Sequence, residues 1–169
     1  MNVEERSKQV CENWPEAVTP FMQSAALIQR LSSLLQETTK RLLKFHDLTY
    51  MEFDALAALR SQKPGATMTP TELYDALLIS SGGLTKVLKS LESKGFIARR
   101  SSERDARQRL VLLTDEGREK LSEIMPQIAA NAETLLQKGF ESPEACAAFA
   151  DDLKRIIHTA EEAIDQRGC

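Results

Sequence analysis

Five arginines crowd the eleven-residue stretch "RRSSERDARQR", Arg99, Arg100, Arg104, Arg107 and Arg109, in a chain whose formal net charge is −3. A guanidinium is permanently charged and presents a rigid fork of donors, so what such a cluster can do is recognise anions, phosphate above all. Because the molecule as a whole is acidic, the field is aimed at one place and is no general affinity for polyanions. Asp105 stands two residues before Arg107, where a charge-assisted bond can hold that guanidinium in an extended pose; an ordinary turn residue is the alternative. Upstream, "ISSGGLTKVLKSLESKG" separates Thr85, Lys86 and Lys89 from Leu84, Val87, Leu88 and Leu91 at helical spacing. Ser80, Ser81, Gly82 and Gly83 at its start are small enough for backbone amides and a helix dipole to approach a phosphate. For Lys86 and Lys89 a plain solvated helix face is the alternative.

These side chains need elements to hold them. From Pro20 to about Phe45, Leu27, Leu31, Leu34, Leu35, Leu42 and Leu43 recur at three- and four-residue spacing, which predicts a long amphipathic helix. "LTYMEFDALAALRSQ" predicts a shorter helix with Phe53, Leu56, Ala57 and Leu59 inward, stopped at "KPGA". In "TPTELYDAL", Thr69 caps a third helix, Pro70 suits its first position and Glu72 closes a capping box. Ser80 or Ser81 caps the fourth, and Gly95 ends it. "FIARR" and "RLVLL" then read as two strands joined by the polar loop "SSERDARQ", a β-hairpin with a basic tip. The helical period returns at Thr114 and Gly117, with Leu121, Ile124, Met125, Ile128, Ala132 and Leu135 on one face as far as Gly139. Ser142 and Pro143 open a last helix whose inner face is Phe149, Leu153, Ile156, Ile157, Ala160 and Ile164.

The fold class expected is therefore mainly α with a small β-hairpin wing. Two short helices joined by a tight turn, followed by a hairpin, form a winged helix-turn-helix whose second helix enters a major groove. Arginines at the hairpin tip suit a narrow minor groove. The flanking helices, at residues 1–46 with their N-terminal segment and at 115–169, carry apolar faces that the central 47–114 domain cannot cover, so a homodimer is expected; a monomer folding these helices back is the alternative. Two-fold symmetry would set the recognition helices roughly 34 Å apart on a near-palindromic double-stranded DNA operator.

The remaining composition narrows the class. Apolar residues make up 42% and charged residues 28%, an ordinary balance for a globular chain of 169 residues. Cys11, Cys146 and Cys169 form no metal or disulfide spacing, and neither His46 nor His158 pairs with a cysteine at ligand spacing, so no metal site is expected. There is no phosphate-binding Gly-rich loop, no nucleophile elbow and no evident carboxylate pair; neither an enzyme nor a cofactor is expected. No signal peptide and no membrane span are read, and the expected location is the cytoplasm.

The string "LLISSGGLTKVLKSLESKGFIARR" followed by "DARQRLVLLTDEG", with a D-x-R wing motif and a closing L-T-x-x-G, resembles the multiple antibiotic resistance regulator (MarR) family over the chain from about Phe21 onward. The resemblance implies a winged-helix homodimer that acts as a repressor and releases DNA when a small molecule binds. It makes Asp105 and Arg107 the wing pair, residues 81–89 the recognition helix, and the terminal helices the dimer interface. Within the family the chain is most similar to the PecS-like, urate-responsive branch, through Trp14 ahead of the first long helix and the motif "EFDALAALR", which implies Asp54 as a pocket acid. That branch completes its anion site with two arginines. One corresponds to Arg99 or Arg100; the other position is Val87, which neither hydrogen-bonds nor neutralises an anion, so a phenolic effector stands beside a purine-like one. Packing of Trp14 against the first helix and a surface ion pair at Asp54 are the alternatives. A redox-responsive repressor using Cys11, and a winged helix that docks an acidic protein, are the other readings.

Overall fold

The computed structural model describes residues 3–63, 65, 67–77, 81–101 and 109–167. A helix absent from the sequence reading comes first: α1 spans Val3–Asn13. Its apolar residues make no stripe, so periodicity gave no signal, but Glu4 and Glu5 sit in the first turn where a helix dipole favours negative charge. A 3-10 turn at Pro15–Ala17 leads to α2, Pro20–Phe45, a helix of 26 residues whose cap Thr19 accepts a hydrogen bond from the Met22 amide at 3.2 Å. Pro20 at its first position has no amide to leave unsatisfied.

Helices α3, Tyr50–Ser61, and α4, Pro70–Leu77, both open on reciprocal capping boxes. Thr49 N donates to Glu52 Oε2 at 2.7 Å and Glu52 N to Thr49 Oγ1 at 3.2 Å. Thr69 and Glu72 repeat the arrangement at 2.6 and 3.1 Å, as the spacing predicts. Helix α5, Ser81–Ser93, is closed at Gly95, whose φ of +76° suits a residue without a Cβ. The hairpin follows: β1, Ile97–Ser101, runs antiparallel to β2, Arg109–Leu113, with Ile97 opposite Leu113, Arg99 opposite Val111 and Ser101 opposite Arg109. Met68 adds an isolated antiparallel bridge to Val111, their amides donating to each other's carbonyls at 3.0 and 2.8 Å.

The core of this region is aliphatic. Leu56 of α3, Leu73 of α4, Leu88 and Leu91 of α5, Ile97 of β1 and Val111 of β2 are all buried. Helix α3 is phased differently from the expectation: Ala55 and Glu52 are buried, whereas Phe53 and Ala57 are only half-buried. A small residue and a paired carboxylate occupy positions that apolar spacing alone assigns elsewhere.

Helix α6, Asp115–Leu136, starts on the L-T-x-x-G string. Thr114 Oγ1 donates to the Gly95 carbonyl at 2.7 Å and accepts from Gly117 N at 3.0 Å. Gly117 is buried, and a Cβ there would stand 2.3 Å from the Phe96 carbonyl oxygen, so close approach is what its glycine permits. A 3-10 turn, Gln137–Gly139, separates α6 from α7, Pro143–Arg167.

The chain divides into two compact units, 1–127 and 128–169. In the first, Phe21 and Met22 at the start of α2, with Leu27 and Ile28 behind them, are exposed, Phe21 by 86%. In the second, Phe140 and Phe149 pack at a centroid distance of 5.5 Å. The face of α7 expected to point inward is open: Phe149, Ile156, Ile157 and Ile164 are exposed in the single chain, Ile164 by 69%. Among the described residues no helix is long and apolar enough to cross a membrane.

Candidate functional site

Helix α5 has two faces. Leu84, Leu88 and Leu91 are buried, and Thr85, Lys86 and Lys89 are exposed. The spacing that drives the leucines inward is what turns the lysines outward together, since residues three and four apart share a helix face. Helix α4 precedes it and the hairpin follows, with Arg100 and Arg109 exposed at the end of the strands that residues 102–108 connect, and Arg109 Nη1 donating to Ser101 Oγ at 3.3 Å. Ser81 and Gly82 fall in the first turn of α5. Ser80, Arg104, Asp105 and Arg107 lie outside the described residues, as does Cys169. The structure thus brings Thr85, Lys86, Lys89 and Arg109 onto the helix and strand that the sequence assigns them.

Beneath this surface, α5 is fastened to α3 by a carboxylate that sequence reasoning passed over. Glu52 is only 3% exposed and accepts hydrogen bonds from the Thr49 amide, the Ser90 hydroxyl and Lys94, whose Nζ lies 3.1 Å from Oε1. Lys94 also donates to the Asp47 carbonyl in the turn after α2. Burial pushes the Glu52 carboxyl up, but the hydrogen bonds from Ser90, Thr49 and Lys94 outweigh it and hold the group below its ordinary value. The signal was available: Thr49-x-x-Glu52 is the same box as Thr69-x-x-Glu72.

A cavity of about 360 Å³ opens between α4, α5 and β1. Pro70, Thr71 and Tyr74 of α4 form one wall, Leu84, Thr85 and Leu88 of α5 another. Arg99 closes it from β1 with Nε 3.1 Å from Glu92 Oε2, and is half-buried. An apolar wall with one cation and a few hydroxyls is the ordinary make-up of a small-molecule site, and this volume lies toward the small end of the range for such sites.

Of the three ligand residues read from the sequence, Arg99 lines this cavity, while Trp14 and Asp54 are not among its lining residues. Trp14 is 62% exposed at the turn after α1, its amide donating to the Val10 carbonyl at 2.8 Å. Asp54 is half-buried on α3, where burial raises its carboxyl above the usual range. Tyr50, one turn earlier, is raised by burial and by the Asp54 charge, and Lys40 Nζ stands 5.5 Å from its ring centre. Val87 is half-buried on α5. Cys11 is exposed on α1 and Cys146 half-buried on α7. His46 ends α2 with Nδ1 3.4 Å from Glu123 and 3.3 Å from Lys120, and His158 pairs with Glu162 at 3.6 Å on exposed helix. Among the described residues no three His, Cys, Asp or Glu side chains are grouped to hold a metal ion.

Known proteins share this fold. The family model described as "MarR family" matches residues 46–108, the segment holding α3 to α5 and the start of the wing. The HTH-type transcriptional regulator PecS of Dickeya dadantii is 29% identical over 109 residues, 64% of this chain and 66% of PecS. The transcriptional repressor MprA of Escherichia coli is 35% identical over 100 residues, 59% of this chain and 56% of MprA. The chain thus spans just under two thirds of PecS and little more than half of MprA. The crystal structure of wild-type MarR from E. coli in its apo form superposes with a TM-score of 0.69 at 25% identity, covering 82% of this chain and 98% of MarR. Fold and sequence agree: residues 46–108 match the MarR family, and the chain as a whole has the fold of MarR.

Proposed function

We propose that the protein is a dimeric, DNA-binding transcription regulator of the repressor type, released from its operator by a small aromatic ligand. The observation that carries this is the division of α5 into a buried leucine face and an exposed face bearing Thr85, Lys86 and Lys89, with a hairpin directly after it. Such a helix enters a major groove, its small first residues letting backbone amides meet phosphate, while wing arginines reach the minor groove. That PecS is a transcriptional regulator and MprA a transcriptional repressor supports the same reading.

The exposed apolar residues of α2 in one unit and of α7 in the other support a homodimer, since a second copy is the economical cover for faces that single units leave open. In that division of labour, residues 1–46 and 115–169 assemble the dimer and residues 47–114 bind DNA. The effector site is the cavity at Arg99, and its size and single cation favour a one-ring phenol or aromatic carboxylate over a purine that would also need Trp14, Asp54 and an arginine at the place of Val87.

Fluorescence anisotropy against the promoter DNA flanking the protein's own gene tests the reading, run with wild type and Arg107→Ala. Tight, salt-sensitive binding is expected, weakened at least tenfold in the variant while sedimentation still reports the same dimer. Equal affinity of the two proteins would remove Arg107 from the interface, and binding no tighter than to a random duplex would remove the operator reading.

A further inference from the structure

Arg99 has a companion to which the cavity alone gives no role. Glu92, in the last turn of α5, holds Oε2 3.1 Å from Arg99 Nε, yet among the described residues that Nε is buried with no hydrogen-bond partner. The two side chains are 46% and 29% exposed, respectively. The Nε is thus charge-paired but short of a hydrogen bond, on a side chain that lines a cavity large enough for a ring.

An anion that enters the cavity seeks the same guanidinium. Two carboxylates on one fork repel unless one is protonated or one leaves. Glu92, being the more exposed of the pair, is the group that water can take up when it leaves, because a half-exposed carboxylate recovers most of its hydration. A neutral ligand of the same shape has no such exchange to make.

We propose that Glu92 is a built-in counter-ion of the effector site, holding Arg99 while the cavity is empty and giving way to the anionic group of an aromatic ligand. The inference rests on reading the cavity as the effector site. It makes Glu92 the residue that sets the site's threshold for anions. It also links occupancy to DNA binding: Glu92 belongs to α5 and Arg99 to β1, so the exchange unties the recognition helix from the wing strand.

The test is isothermal titration of benzoate and of benzamide, its neutral isostere, into the full-length wild type, Glu92→Gln and Arg99→Met. Removing the competing charge should tighten benzoate about two- to fivefold, the worth of a half-exposed ion pair, and leave benzamide unchanged. Arg99→Met should erase the preference for benzoate. Equal benzoate affinity in wild type and Glu92→Gln, with Arg99→Met still weakened, overturns the counter-ion and leaves the effector site standing. An equal gain for benzamide overturns it too, since shape and not charge would then be at work. Benzoate binding that is indifferent to Arg99→Met, or absent in all three proteins, overturns the effector site along with the inference.

Discussion

Replacing Glu52 by alanine removes the carboxylate on which three donors converge, the Thr49 amide, the Ser90 hydroxyl and Lys94. The Thr49 amide loses its reciprocal cap, worth about 1 kcal/mol. The Ser90 hydroxyl and Lys94 lose their shared acceptor. Truncating one partner of a fully buried pair costs about 3–5 kcal/mol. Lys94, however, keeps a side chain 23% exposed and a second carboxylate, Asp47, at 3.6 Å, so that share falls to about 2 kcal/mol by the same reasoning. The expected loss is therefore about 3 kcal/mol, a large part of the ~5–15 kcal/mol that keeps a domain folded. Urea unfolding at one fixed protein concentration measures it, since dimer formation would otherwise shift the midpoint. The pH dependence supplies a second reading. The folded-state value of Glu52 lies below its ordinary value near 4.5, so its contribution is complete above that value and drains away as pH falls through the lowered one. The stability difference between wild type and Glu52→Gln should accordingly shrink below about pH 4.5. A loss under about 1 kcal/mol in the alanine variant, or a difference constant from pH 7 to pH 3, would refute the reasoning.

Gly117→Ala places a methyl 2.3 Å from the Phe96 carbonyl and 2.8 Å from Leu113 Cδ1; despite the better helix former, a net loss of about 1–3 kcal/mol is expected in the same unfolding assay. Lys86→Ala combined with Lys89→Ala should weaken operator and random duplex alike and lower the slope of log K against log salt by about 4, as the loss of two phosphate contacts from each protomer of the proposed dimer requires. An unchanged slope would make both lysines a plain solvated face.

Where local chemistry decides the outcome, the sequence was readable. Thr69 and Glu72 spell a capping box, Gly95 a helix end, and the alternation of aliphatic and polar runs after it a hairpin, and each stands where it was expected. What depends on a neighbour far along the chain was not readable. Glu52 is buried because Ser90 and Lys94, about forty residues later, meet it. The cavity needs Tyr74 and Arg99 on different elements, and spacing alone says nothing of their proximity. Helix α1 lacks the stripe on which periodicity depends, and α7 has a stripe but no cover for it in the single chain. The D-x-R wing, clear in the sequence, falls outside the described residues.

The bond from Lys94 to the Asp47 carbonyl gives the molecule a mechanical property. It ties the turn after α2 to the end of α5, while Glu52 ties that same end to α3, so the foot of α2 is joined to the recognition helix through Lys94. At 26 residues α2 is roughly 39 Å long. Tilting an arm of that length by about 5° moves its end by roughly 3.4 Å, the rise of one base pair. In the proposed dimer a tilt too small to disturb any core would therefore put the two reading heads a full base pair out of step with a fixed operator. The stiffness of this joint, more than the size of any ligand-induced motion, would make the grip on DNA all or none.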